Sequence, residues 1–247
     1  MNVQGITGIL VLLGVAYLLS NNRKEIKIRT VLWGLGLQFS LALMILKIPF
    51  VKSQFSILDR IFRKVISFSE TGSNFLFESF IPDVGYHVAM MNFAFRALPV
   101  IIFFSSLIAM SYHFGIVQTI IKFISKIMRS TMRTSGPETL SISANIFVGQ
   151  TEAPIIVRPF IKDMSNSELM AIMTGGFATT AGSVLALYVL WLEKIPGIAG
   201  HMLAASIMSA PAALAIAKII YPETEKSRPK KIIKIHNHRE TQNAMDA

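Results

Sequence analysis

One stretch decides how this chain folds: Thr134-Ser-Gly-Pro-Glu-Thr-Leu-Ser-Ile-Ser-Ala-Asn-Ile-Phe-Val-Gly-Gln-Thr-Glu-Ala-Pro-Ile-Ile-Val-Arg-Pro-Phe-Ile-Lys-Asp163. It is too apolar for a free loop, and structureless loops beyond about 15 residues are uncommon in compact domains. Basic residues stand at both of its ends, Arg129 and Arg133 before it and Arg158 and Lys162 near its close. If both ends lie on one side of a bilayer, the segment cannot cross once. The expected shape is a re-entrant hairpin, two half-helices that dip in and return. Its tip falls on the polar cluster Asn145 to Pro154. Non-helical backbone at membrane depth is tolerated only where it is buried in protein or lines a water-filled cavity. Pro154 favours an extended residue before it and can open a helix, and Gly149 permits a tight turn. Freed carbonyls at such a break can coordinate a cation, while Gln150 and Glu152 offer hydrogen bonds to a polar solute. An ionisable residue at that depth is a functional-site candidate. The plain alternative puts Glu152 at an aqueous surface, in an ordinary loop.

The membrane premise rests on charge. The 247 residues hold 24 Lys+Arg and 14 Asp+Glu, 15% of the chain, against about 25% in soluble domains. Ten of those 38 charges fall between Pro222 and Ala247, so the rest of the chain is poorer still. A net charge of +10 raises the possibility of nucleic-acid binding. The basic residues, however, sit between long uncharged runs rather than on a polar domain, which excludes it. With no cysteine there is no disulfide, thiolate metal site or Cys nucleophile.

A hydrocarbon core of about 30 Å needs roughly 20 apolar helical residues. Met1–Asn22 carries no charged side chain, and its basic residues follow the apolar run, unlike a cleavable signal peptide. Further expected spans are Thr30–Leu46, Ala97–Ile121, Leu169–Leu192 and Ile195–Ala217. The Lys/Arg rule for cytoplasmic loops gives a consistent topology. Asn21–Arg29, the region Lys122–Arg133 and the tail from Lys226 all fall inside, and the N-terminus outside. Two segments are amphipathic. Phe55, Leu58, Ile61, Phe62, Val65 and Ile66 oppose Asp59, Arg60, Arg63 and Lys64. Ile116, Ile120, Ile121, Ile124 and Ile127 oppose Gln118, Lys122, Ser125 and Lys126. Both read as interfacial helices, and the second equally as a helix packed on the protein's own core. The weak start of the fourth span, Thr174-Gly-Gly-Phe-Ala-Thr-Thr-Ala-Gly-Ser183, suits close helix packing or a broken helix offering oxygen ligands. The fold class is therefore an all-α polytopic membrane protein with about five transmembrane helices, interfacial amphipathic helices and one re-entrant hairpin. Residues 1–112 read as N-terminal scaffold helices. Residues 113–220 read as interfacial helix, hairpin and two further spans, and 221–247 as a basic cytoplasmic tail.

These residues resemble the concentrative nucleoside transporter family. The resemblance is carried by Gly149-Gln-Thr-Glu-Ala-Pro154, preceded by Ala144-Asn-Ile-Phe-Val148 and followed by Val157-Arg-Pro-Phe160. Collinear matches are Phe93-Ala-Phe-Arg-Ala-Leu-Pro99, Gly175-Gly-Phe-Ala178, Ala181-Gly-Ser-Val184, Ser209-Ala-Pro211 and Pro222-Glu-Thr-Glu-Lys226. It implies that Gln150, Thr151 and Glu152 contact a nucleobase and that Val184 packs against it. It implies a Na⁺ site from the Asn145 side chain, the Val148 and Thr180 carbonyls and the Thr179 hydroxyl, with Ala153-Pro154 favouring sodium over protons. No cofactor is expected beyond Na⁺ as coupling ion. The implied partners are nucleosides, Na⁺, the lipid bilayer and two further copies in a homotrimer. The implied location is the plasma membrane, as in a bacterial inner membrane.

Family members are longer, with a second inverted half that holds the ribose. The expectation is thus the N-terminal portion of a sodium-coupled nucleoside symporter, completed by a second half or a second chain. The alternative from another class is a non-transporting membrane scaffold. An enzyme is not expected, and His236-Asn-His238 reads as part of a solvated basic tail. Arg96 reads as an interface anchor or a buried structural pairing, and Arg158 as an anchor for the hairpin's return.

Overall fold

The computed structural model describes residues 3–77 and 93–225. The side chain of Arg96 and the tail from Lys226 onward lie outside the described residues, and with them the expectations made of both. Every regular element among the described residues is helical. The first apolar run forms α1, Val3–Leu18. The carbonyls of a helix C-terminus have no partner within the helix. Here Arg23 donates to the Tyr17 and Leu18 carbonyls at 3.2 and 2.9 Å, its guanidinium 5.4 Å from the Tyr17 ring centroid. The second run forms α2, Ile28–Lys47. Pro49 then opens α3, Pro49–Phe77, the longer realisation of the first amphipathic stripe.

The third expected span ends early. Helix α4 covers Phe93–His113, and α5 covers Ile116–Met132, their axes bent by 77°. Gly115 sits at φ 79° between them, a conformation that needs glycine, and the Gln118 side chain donates to the Tyr112 carbonyl across the bend. The run Ala97–Ile121 is thus divided between α4 and the start of the amphipathic helix α5. Hydrophobic content carries on through the bend, so composition could not mark it.

After α5 come α6 (Gly136–Asn145), α7 (Glu152–Ile156) and a 3₁₀ segment, Arg158–Asp163. The fourth expected span is two helices, α8 (Asn166–Ala178) and α9 (Gly182–Trp191), and the fifth is α10 (Ile198–Ile220). By length and composition α2, the α8–α9 unit and α10 could each cross a bilayer. The bent α4–α5 pair forms a fourth candidate, and α1 is a shorter apolar helix.

Helix α10 is the interior one: 61% of its most apolar window is buried, against 11% for α2. Its approach to α2 depends on Gly34, where a Cβ would lie 2.7 Å from Ala215 Cβ and 2.9 Å from the Pro211 carbonyl. At its start, Asp59 on α3 accepts from the Ala199 amide at 2.9 Å, an N-terminal cap supplied by another helix. Arg63 pairs with Asp59 at 3.0 Å and donates to the Glu193 and Ile195 carbonyls. Asp59 and Arg63 therefore clamp the α9–α10 turn instead of facing headgroups, as the amphipathic pattern alone suggested. One apolar cluster joins α3, α4, α9 and the start of α10, with the Phe62 and Phe104 rings 5.4 Å apart. A second joins α5, α6, α8 and the far half of α10.

Candidate functional site

Ten residues of α6 make a rod of about 15 Å, half the hydrocarbon thickness of about 30 Å. The chain then loosens over Ile146–Thr151 and comes back through α7 and the 3₁₀ segment. Leu140 and Ala144 on the way in share one apolar cluster with Ala153 and Val157 on the way out. Helix α6 starts on a capping box: the Ser135 amide donates to Glu138 Oε1 at 2.6 Å, and the Glu138 amide to Ser135 Oγ. Helix α8 starts on another, Ser165 with Glu168.

Two expectations about the tip change. Helix α7 begins at Glu152, two residues ahead of Pro154, which occupies the first turn, where its missing N–H costs nothing. Gly149 does not adopt a positive φ. The carboxylate of Glu152, the end of a flexible, exposed side chain, folds over it.

Almost all of α6 is buried, its polar residues included. Thr139 and Ser143 spend their hydroxyls on the Ser135 and Thr139 carbonyls of their own helix. Asn145, 3% exposed, reaches across instead. Its amide nitrogen donates to the Gly175 carbonyl at 2.7 Å and to Thr179 Oγ1. The amide oxygen has no donor among the described residues. The Thr179 hydroxyl in turn lies 3.2 Å from both the Asn145 and Gly175 carbonyls. The Gly182 amide donates to the Phe147 carbonyl at 3.2 Å, and Ser206 on α10 reaches the Ile146 carbonyl at 3.5 Å. The break between α6 and α7 thus lies against the break between α8 and α9. Two glycines allow the approach: a Cβ on Gly175 would meet Ile142 at 2.7 Å, and one on Gly182 the Phe147 carbonyl at 2.8 Å.

Both α6 and α8 end at this junction, and helix C-termini carry partial negative charge. No backbone amide among the described residues donates to the Val148 or Thr180 carbonyl. No group of three His, Cys, Asp or Glu side chains that could hold a metal occurs among the described residues. The oxygens gathered here are amide, hydroxyl and carbonyl, a neutral hard set suited to a weakly held monovalent cation.

Gln150, Thr151 and Glu152 are exposed, and their side chains make no hydrogen bond to described residues. The Gln150 Cβ stands 3.5 Å from where a Cβ on Gly176 would be, so the tip lies over the end of α8. Val184 is half-buried in the first turn of α9. Asn145 and Thr179 meet directly. Arg158, expected to anchor the return, is exposed.

One polar cluster escaped the sequence reading. At the start of α6, Glu138 Oε2 lies 2.6 Å from Lys218 Nζ of α10, and both side chains are buried. Lys218 also donates to Ser167 Oγ at 2.9 Å and lies 3.6 Å from Glu223, which accepts from Ser165 at 2.8 Å. The pattern Ser-x-x-Glu, present at Ser135 and Ser165, signals both helix starts. Nothing local signals the lysine.

Three family models match in order along the chain. They are "Na+ dependent nucleoside transporter N-terminus" over residues 7–80, "Nucleoside recognition" over 94–194 and "Na+ dependent nucleoside transporter C-terminus" over 201–247. Sodium/nucleoside cotransporter 1 of Mus musculus is 43% identical over 223 residues, covering 90% of this chain and 32% of that protein. An uncharacterized transporter of Haemophilus influenzae is 43% identical over 224 residues, covering 91% and 52%. The solved structure of CNTnw in an inward-facing substrate-bound state superposes with a TM-score of 0.85 at 39% identity, covering 98% of this chain and 56% of that one. The chain therefore spans about a third of the mouse relative's length and about half of the bacterial one's.

Proposed function

Because the chain belongs to the concentrative nucleoside transporter family, we propose that it provides the sodium site and one side of the base-binding site of a sodium-coupled nucleoside symporter. The supporting observation is the junction of the two chain breaks, where Asn145 meets Thr179 between the C-terminal ends of α6 and α8. Na⁺ is held by the Asn145 side-chain oxygen, the Thr179 hydroxyl and the carbonyls of Val148 and Thr180. Binding there draws the hairpin tip onto the α8–α9 break, which sets Gln150, Thr151 and Glu152 in register with Val184. The three polar residues hydrogen-bond the nucleobase edge and Val184 covers its face. Alternating access then carries ion and nucleoside together.

The exposure of Gln150, Thr151 and Glu152 favours completion of the nucleoside site by a further segment, in this protein or a second chain. The same exposure is what a non-transporting scaffold of this family would have. The working assembly is a homotrimer in the plasma membrane, with the N-terminus outside and the basic loops inside. No chemical transformation is part of the activity.

Thermal unfolding of the purified chain in NaCl and in choline chloride tests the ion site. Sodium is expected to raise the midpoint for the wild type and to leave Asn145→Ala unmoved. A sodium-insensitive wild type overturns the assignment. Uptake of labelled uridine and adenosine, with and without Na⁺, separates symporter from scaffold.

A further inference from the structure

Helix α5 has two apolar faces, and among the described residues only one of them is packed. Val117, Ile121, Met128 and Met132 are buried, within the clusters that α5 shares with α6, α8 and α10. Away from them Ile120, Phe123 and Ile127 stand exposed, Phe123 at 65%. Lys122, Lys126 and Arg129 form a third face, which at 3.6 residues per turn lies roughly a third of a turn from the exposed apolar one. The 77° bend at Gly115 matters here. Where α4 crosses the bilayer, α5 runs close to the membrane plane. A helix lying there turns one face to the protein, its apolar face to acyl chains and its cationic face to headgroups.

Two observations bear on what meets the cations. No described acidic side chain forms an ion pair with Lys122, Lys126 or Arg129. More positive charge also gathers at the same end of the molecule. Thr30 Oγ1 donates to the Met132 carbonyl at 3.0 Å, and the Asn21 amide to the Ile220 carbonyl at 2.8 Å. These bonds hold the α1–α2 turn, with exposed Lys24, Lys27 and Arg29, beside the ends of α5 and α10. We infer that this face of α5 is a binding surface for anionic phospholipid. Phe123 sits among the acyl chains, and Lys122, Lys126 and Arg129 engage headgroup phosphates. The inference stands apart from the transport reading, since it needs neither sodium nor a nucleoside.

The test is thermal unfolding of the purified chain in neutral detergent, titrated with phosphatidylglycerol, phosphatidylcholine or inorganic phosphate. Phosphatidylglycerol alone is expected to raise the midpoint. The variant Lys122→Gln/Lys126→Gln/Arg129→Gln should bind it ~100-fold more weakly, at about 1 kcal/mol per surface cation. Lys52→Gln/Arg60→Gln/Lys64→Gln on α3 should bind as the wild type does. An equal response to phosphate, an insensitive wild type, or undiminished binding by the α5 variant each overturns the proposal. So does self-association that the α5 variant abolishes, because it would assign the face to a second copy. If the α5 variant does not fold, Phe123→Trp supplies the answer. Brominated phosphatidylglycerol should quench its added fluorescence more than brominated phosphatidylcholine, and equal quenching sinks the idea.

Discussion

Asn145 and Glu138 sit at opposite ends of α6, and both are buried polar side chains whose partners lie on other helices. A buried polar group without a partner is costly, so each constrains where α6 stands. Glu138 does so through charge. Removing one member of a buried ion pair leaves the other unpaired and costs about 3–5 kcal/mol, whereas replacing both with neutral groups is often close to neutral. Glu138→Gln and Lys218→Met should each lower the unfolding midpoint strongly, and the double variant should recover most of the loss. A double variant as unstable as the two single losses combined would mean that the pair is not coupled. Asn145 is a different case, because its amide nitrogen is engaged while its oxygen remains available. That division makes the side chain both a clasp on the α8 end and a candidate ligand.

At the scale of elements, the breaks matter more than the helices. Helices α6 and α8 stop where their C-terminal carbonyls can face each other, and glycine is what lets them. A Cβ on Gly182 would press on a backbone carbonyl, that of Phe147, and on Ile108. A Cβ on Gly175 would press only on the Ile142 side chain, and one on Gly36 would meet nothing within 4 Å. Overpacking costs about 1–3 kcal/mol. Gly182→Ala is therefore expected to lower stability by that amount and to remove the sodium-dependent shift. Gly175→Ala should cost less, and Gly36→Ala should be neutral or slightly stabilising, since alanine is the better helix former. Equal effects at Gly182 and Gly36 in thermal unfolding would refute a requirement for close approach. The hairpin was legible in advance because a segment with basic residues at both ends cannot cross once. The ordinary backbone angle of Gly149 was not, because a glycine reads the same in one dimension whatever φ it adopts.

For the whole molecule, the lines of charge and the packing agree. Hydrogen bonds from Thr30 to Met132 and from Asn21 to Ile220 gather the α1–α2 turn, the end of α5 and the end of α10 at one pole. The Arg63 clamp on the α9–α10 turn lies at the opposite end of α10. These 247 residues hold no cysteine, so single cysteines report sidedness cleanly. In right-side-out vesicles a membrane-impermeant maleimide should label Lys194→Cys and spare Lys27→Cys and Arg129→Cys. Labelling of the latter two would invert the topology. Composition and periodicity were enough for the apolar runs, the basic loops and the re-entrant segment, because transfer of each stretch between water and lipid depends on its own residues. They could not reveal the clamp of Asp59 and Arg63 or the Glu138–Lys218 pair. Nor could they show that Asn145 touches Thr179. Those contacts join residues distant in the chain, and they exist only where glycines and packed side chains bring helices within hydrogen-bond reach.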